Sequence, residues 1–354
     1  MDERPLAFLK RLLDAPGPSG FEQVPARLWR DEAKAFASVE VDVAGNSIAT
    51  LNPKGTPRVM LAGHVDEIGL MVVHIDDDGY LHFAPIGGWD SQVLVGQRVV
   101  LDGKNGPVIG VVGKKAIHLM KTEERDKVSK ITDLWIDIGA KNKDEAAARV
   151  RVGDAGVLSA HLIEFPNGRL VSRSIDNRIG AFVVLEALRR LAADPPKAAV
   201  AAVATTQEEI AHSGGGARTS AFHLEPDAAI VVDVTHATDY PGVEKKEAGD
   251  FKLGGGPVLS RGSAVSRVVF DQLVSAAEAE KIPYAIEASP RGTSTDADAI
   301  YTARRGIATG LVSVPCRYMH SPNEMVSLED LDRAAALLVA WVRRLDGATS
   351  FIPL

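Results

Sequence analysis

The sequence predicts an α/β protein: a mixed sheet flanked by helices and interrupted by an inserted small β barrel. Three observations carry that expectation. Residues 198–205 and 228–234 are runs of small and β-branched apolar residues without polar alternation, the pattern of strands buried on both faces. Apolar-periodic helical segments alternate with these runs, as in a sheet with helices packed on it. Between Leu70 and Glu164 the texture changes to short runs separated by Gly and Asp turns, which suits a small barrel or sandwich. At 354 residues the chain exceeds one typical core of roughly 100–200 residues. The expected organisation is an α/β domain in two parts, residues 1–67 and 165–354, with residues 68–164 as a β insertion.

Taken in order, residues 6–13 read as a helix stopped by Pro16, Gly17 and Pro18. A second amphipathic helix over 21–36 leads to strands over 38–43, 46–52 and 58–62. The insertion holds candidate strands over 70–75, 80–84, 98–101, 108–112 and 134–138, a charged loop over 121–130 and a short helix over 143–149. After Gly168 a short strand runs into a long helix, with Asp176 where an N-cap belongs. The strand over 198–205 follows, then a short helix after Gly214–Gly216 and the strand over 228–234. Helices over 266–281 and 295–303 and strands over 283–287 and 306–314 come next. Ser327 and Asp330 match the S-x-x-D capping pattern for a closing helix over 328–345.

Composition narrows the function. A net charge of −7 without a basic block argues against nucleic acid and anionic membranes as partners. Aromatic residues make up only 5% of the chain, so there is little surface for stacking sugars or bases. Cys316 is the single cysteine; it excludes an intrachain disulfide and reads as a buried small hydrophobe. The charged N-terminal segment lacks the apolar core of a signal peptide, and no run approaches the ~18 apolar residues of a membrane span. A cytoplasmic protein is expected.

The chemistry-bearing residues follow apolar strands, where open α/β sheets place their sites. His64 and Asp66, in AGHVDEIG, lie on one face of an extended segment, and a ligating imidazole usually gives its second nitrogen to a carboxylate or carbonyl. Asp176 is placed either to cap its helix or to project into a sheet-edge site. Glu208 and Glu209 can reach one site only if their strand has ended, because neighbours on a strand face opposite ways. Asp233 stands near the carboxyl end of a buried run, and His320 lies just past the last strand. Two imidazoles and several carboxylates suit Zn²⁺, Co²⁺ or Mn²⁺. Five such ligands overfill one tetrahedral ion, whereas two ions about 3.5–4 Å apart, sharing one carboxylate, use them naturally. The glutamate left over is a candidate general base. His74, His82, His118 and His161 have no ligand-like spacing, and surface or core roles are expected for them.

AGHVDEIG, PIGGWD, SRSIDNRIGA, TTQEEIAHSGG, VVDVTHA and YMHSPNE, in this order, closely resemble the motifs of the tetrahedral aminopeptidases, the glutamyl and deblocking aminopeptidase family, some members of which were formerly labelled cellulases. The resemblance spans essentially the whole chain. It implies the fold of dinuclear zinc peptidases, with His64 and Asp233 on one metal, Glu209 and His320 on the other, and Asp176 bridging. It further implies Glu208 as the base acting on a metal-activated water and Asp66 as the residue that orients His64. Two divalent ions per subunit, Zn²⁺ first with Co²⁺ or Mn²⁺ as alternatives, follow from it. So do peptide substrates with a free N-terminus and homo-oligomers, from dimers built through the β insertion to dodecamers. The segment PRGTSTDADAI is longer than the family's pattern at that point, which touches the substrate pocket wall.

Other readings stay open on the residues alone. A deacylase or carboxypeptidase would share the metal core and need a cation for the substrate carboxylate, with Arg291 as candidate. A glycosidase would use acids but gives histidine ligands no purpose. A Ser-His-Asp hydrolase lacks its GxSxG turn. A non-catalytic oligomer with a vestigial site would carry a substituted ligand, and none of the six positions is substituted.

Overall fold

Helices α1 (Glu3–Asp14) and α2 (Gln23–Ala33) lead into β1 (Ser38–Val41), β2 (Ser47–Leu51) and β3 (Arg58–His64). The structure, a computed structural model, describes residues 3–211 and 214–354. Six strands follow: β4 (Gly69–Ile75), β5 (Leu81–Ile86), β6 (Arg98–Gly103), β7 (Gly106–Gly113), β8 (Trp135–Asp137) and β9 (Ala155–Leu158). They close into a barrel in the order β4-β5-β8-β7-β6-β9, with the short helices α3 (Thr122–Arg125) and α4 (Lys143–Arg149) in its connections. Next come β10 (Ile163–Phe165), β11 (Arg169–Ser172), α5 (Ile175–Ala192), β12 (Ala199–Thr205), α6 (Gly215–Leu224) and β13 (Ala228–His236). The chain closes with α7 (Lys245–Ala248), β14 (Val258–Gly262), α8 (Arg267–Ala279), β15 (Ala285–Ser289), α9 (Asp296–Ile300), β16 (Ala308–Cys316), β17 (Glu324–Ser327) and α10 (Leu328–Arg343).

The main sheet has eight strands in the order β1-β2-β12-β3-β13-β16-β14-β15. Its centre, β12-β3-β13-β16, is parallel, while β2 joins β12 and β14 joins β16 antiparallel. This is the mixed sheet the sequence predicts. Every residue of β12 is buried, which explains its unbroken Ala/Val run. One sheet face packs on α1, α2, α5, α8 and α10, through residues such as Leu12, Trp29, Phe182 and Trp341. The other packs on α6 and α9, through Met60, Val203, Ala217 and Ile300. The barrel has its own core around Leu70, Leu81, Val99 and Ile136. In β7 the alternation is plain, with Val108 and Val112 inside and Ile109 and Val111 outside.

Close packing between α5 and the sheet depends on two glycines. A Cβ on Gly63 of β3 would lie 2.4 Å from the Gly180 carbonyl carbon, and one on Gly180 would lie 2.3 Å from the Val232 oxygen. The helix therefore sits directly on the strands whose ends carry the chemistry.

Some local expectations fail for identifiable reasons. Asp176 does not cap α5: Ser174 holds the N-cap position, and Asp176 and Asn177 take non-helical torsions. Ser327 makes no side-chain cap of α10, because Asp330 instead accepts N–H bonds from Gly254 and Gly256, each at 2.7 Å. Strands β9 and β10 have four and three residues, too short for periodicity to register. Cys316 is buried in the main core, as expected.

Candidate active site

Five chain segments converge at the carboxyl ends of β12, β3 and β13. His64 is the last residue of β3 and the register partner of Thr205, the last of β12. Since β12 stops there and Gln207 takes a positive φ of 60°, the chain turns sharply and presents Glu208 and Glu209 to one side. Asp233 lies within β13, and Asn177 at the start of α5 donates to the Val232 carbonyl at 2.8 Å, pinning the helix start beside it. His320 arrives on the loop after β16, also with positive φ. A cavity of about 990 Å³ opens over them and has His64, Asp176, Glu208, Glu209, Asp233 and His320 in its wall.

Asp176 lies at the centre. Its Oδ1 is 3.3 Å from His64 Nε2 and its Oδ2 is 3.3 Å from His320 Nε2. Around His64 Nε2, Glu208 Oε2 lies at 3.7 Å and Asp233 Oδ1 at 4.0 Å. Around His320 Nε2, Glu209 Oε2 lies at 3.5 Å. Ligand-capable atoms of His64, Glu208 and Asp233, and likewise of His64, Asp176 and Glu209, all fall within 4.8 Å of one another. The residues read from the sequence are thus brought into one cluster. Arg291 does not join it: the side chain is exposed and outside the cavity wall.

The electrostatics are those of a site built for positive charge. Burial pushes the Glu208 carboxyl up to about 9, with Asp233, Asp296 and Asp66 adding to the rise. Burial likewise holds Glu209 and Asp233 well above the usual carboxylate range, reinforced by the charge of Asp176. Asp176 itself is driven down against its burial by hydrogen bonds from both histidines. Burial opposes the charged form of His64, but Asp66 and Asp176 outweigh it and hold the imidazole well above its ordinary value. Glu209 Oε1 is buried with no hydrogen-bond partner among the described residues, a cost that a cation would remove. The donor set, carboxylates with imidazole, fits a divalent metal of the zinc class.

Residues behind the cluster fix its geometry. Asp66 is fully buried, 3.4 Å from His64 Nδ1, and accepts the backbone N–H groups of both Glu208 and Glu209 at 3.2 Å. One carboxylate therefore touches the histidine and both N–H groups of the glutamate turn. Glu324, which the sequence reading passed over although it closes YMHSPNE, accepts the N–H of Asp176 at 3.0 Å and of His320 at 2.8 Å. Asp296, also passed over, is buried in the cavity wall and takes the Thr205 hydroxyl at 2.5 Å. Beneath the β3 turn, buried Glu67 pairs with Arg178 at 2.8 Å and Arg173 at 2.5 Å, and Arg178 Nε donates to the Val65 carbonyl. No signal short of the folded chain links Glu67 to Arg173 and Arg178, because the partners lie 106 and 111 residues apart.

Comparison with known proteins gives the family. The M42 glutamyl aminopeptidase family pattern matches residues 45–337. The chain belongs to the M42 family. It is a peptide hydrolase, an aminopeptidase by family. Lysyl aminopeptidase of Pyrococcus furiosus is 36% identical over 344 residues, covering 96% of each chain. A TET aminopeptidase from a marine sediment thaumarchaeote superposes with a TM-score of 0.92 at 35% identity, covering 97% of both chains. The TET1 peptidase of Pyrococcus horikoshii, described as assembling into a tetrahedron or a large octahedral shell, superposes with a TM-score of 0.85 at 33% identity, covering 96% of this chain and all of that one. This M42 member has no helix among the described residues long and apolar enough to cross a membrane.

Proposed function

We propose that the chain removes N-terminal residues from peptides with two divalent metal ions, Zn²⁺ foremost. His64 and Asp233 would hold one, Glu209 and His320 the other, and Asp176 both. The observation that carries this reading is the division of Asp176: each of its oxygens faces a different histidine nitrogen at the same 3.3 Å. Bound divalent ions supply Lewis acidity for the scissile carbonyl and make water a stronger nucleophile near neutral pH. Positive charge among these carboxylates favours their ionised forms, which returns Glu208 to the state of a base. Glu208 then takes a proton from the attacking water and passes it to the leaving nitrogen. Asp66 keeps His64 oriented and the Glu208–Glu209 turn in place. The surplus of carboxylates gives a free α-ammonium a favourable destination, whereas an acetylated amine brings bulk without charge.

The test separates the two glutamates. Glu209→Gln replaces a charged ligand with a weak neutral one, and metal content should fall from two per chain. Glu208→Gln removes no metal–protein bond, so turnover should fall about 10²–10⁴-fold with metal content near two. Mass-spectrometric metal analysis beside steady-state rates reads both. Metal loss in the Glu208 variant with full occupancy in the Glu209 variant reverses the roles, and full activity in both removes the hydrolytic site. Faster turnover of N-acetylated than of free aminoacyl amides would move the assignment to a deacylase.

We further propose that residues 68–164 act as a separate unit that dimerises the chain within a homo-oligomeric shell. Support comes from the exposed apolar residues Ile109, Val111, Ile117 and Leu119 and from the shell assemblies of the Pyrococcus horikoshii relative.

A further inference from the structure

The wall of the cavity away from the two histidines carries information about the N-terminal residue accepted, an inference that rests on the aminopeptidase reading above. Two divalent ions bring four positive charges, which Asp176, Glu208, Glu209 and Asp233 balance when ionised. Three more carboxylates line the same cavity: Glu287, Asp296 and Asp298. Against them Arg218 is the only lysine or arginine in the wall among the described residues. With the metals in place the wall therefore keeps two negative charges in excess, and a substrate's α-ammonium answers one of them.

Glu287 is placed to meet the other. It lies on β15 with Ser260 of β14 as its register partner, so the two side chains share one face of adjacent parallel strands. The Thr235 hydroxyl donates to Glu287 Oε1 at 2.9 Å, and no cation pairs with this carboxylate among the described residues. Ser260 also lines the cavity, is 2% exposed, and its hydroxyl has no hydrogen-bond partner among the described residues. Buried hydroxyls are rarely left so, and Ser260 beside a carboxylate that pairs with no described cation suits a ligand that brings donors. Asp298 adds charge nearby, although its oxygens already accept the N–H groups of Thr293 and Ser294.

We propose that Glu287, with the hydroxyls of Ser260 and Thr235, recognises the cationic side chain of an N-terminal lysine or arginine. An ammonium or guanidinium has several donors and no acceptor, which complements a carboxylate flanked by two hydroxyl oxygens. An apolar side chain gives Ser260 no partner and Glu287 no cation, and an acidic one meets carboxylates. The preference therefore combines attraction for one class with rejection of the others.

The experiment uses metal-loaded full-length protein and the p-nitroanilides of lysine, arginine, leucine and glutamate. The expected kcat/KM for the two basic substrates is at least ten-fold that for leucine, with glutamate lowest. In Glu287→Gln the lysine-to-leucine ratio should fall about ten-fold or more, mainly through KM, and in Ser260→Ala by a few-fold. Ratios within one preparation do not depend on how much of a variant folds. A binding measurement stands beside the rates: calorimetry on the Glu208→Gln protein should find lysinamide at least ten-fold tighter than norleucinamide, which has a similar chain without the terminal amine. Leucine or glutamate as the fastest substrate overturns the specificity and leaves the aminopeptidase standing. An unaltered ratio in Glu287→Gln, or equal binding of the two amides, overturns it as well. No turnover of any of the four substrates overturns both readings.

Discussion

At the scale of single residues, buried carboxylates away from the cavity wall hold backbone and side chains in place. Asp66 serves three groups at once, so Asp66→Asn leaves at least one of the Glu208 and Glu209 N–H groups, or His64 Nδ1, facing an amide NH₂. Loss of such a partner costs on the order of 10–100-fold in metal affinity or activity. Competition titration against a chromogenic chelator should show that drop; unchanged affinity and rate would mean that the turn holds itself. Asp330 makes a different kind of demand. Burial raises its carboxyl to about 6, against the hydrogen bonds from Gly254 and Gly256. An unfolded aspartate titrates near ~4, so between about pH 4 and 6 the folded chain binds the extra proton. This contribution is fully present below the unfolded value and is lost as pH rises through the folded one. The loss amounts to at most roughly 3 kcal/mol. Thermal unfolding of Asp330→Asn should accordingly show less decline from pH 4 to 6.5 than the parent chain. A parallel pair of curves would remove Asp330 from the account.

Among the elements, the contact of α5 with β3 and β13 decides where the chemistry sits. Helix α5 delivers Asp176 between two strand ends because Gly63 and Gly180 allow backbone to meet backbone. Adding a methyl group at Gly180 places a carbon 2.3 Å from the Val232 oxygen, one residue from Asp233. Overpacking of this kind typically costs about 1–3 kcal/mol. Gly180→Ala should therefore lower the melting temperature, and by shifting the helix start it should also weaken metal binding. A variant with the parent's melting temperature and metal content would show that α5 can slide without penalty. The PIGGWD segment ties the barrel to the same place. A Cβ on Gly88 would stand 3.4 Å from His320 Nδ1, and Trp89 donates to the Gly69 carbonyl at the start of β4.

For the whole molecule, the barrel is the outward-looking part. Its core is closed and self-sufficient, yet β7 turns Ile109 and Val111 to solvent, and Leu119 is 73% exposed. The proposed assembly through the barrel rests on these exposed apolar side chains, since apolar patches of this kind are used in association. Ile109→Lys should weaken assembly, with light scattering moving towards the 37.7 kDa of one chain. Retention of the full assembly would place the contacts on another face. A shell that admits only unfolded peptides would make the same variant more active on short folded substrates relative to flexible ones.

The sequence by itself determined the α/β class, the inserted barrel and the residues of the carboxylate–histidine cluster. Those features are written locally: buried strands carry unbroken apolar runs, barrel strands are short and turn-bounded, and most site residues stand at or close to the carboxyl ends of strands. The six motifs added the family. Tertiary structure alone decided that Asp176 faces both histidines instead of capping α5, that Asp66 also holds the glutamate turn, and that Asp330 binds a glycine loop instead of its own helix. It also brought in Glu324, Asp296 and the Glu67–Arg178 pair. These are interactions between distant segments, set by how α5 packs on the sheet and where loops cross its carboxyl edge. A periodicity or spacing rule sees only neighbours along the chain, and a carboxylate's choice between a nearby helix end and a remote amide is made by the packing that surrounds both.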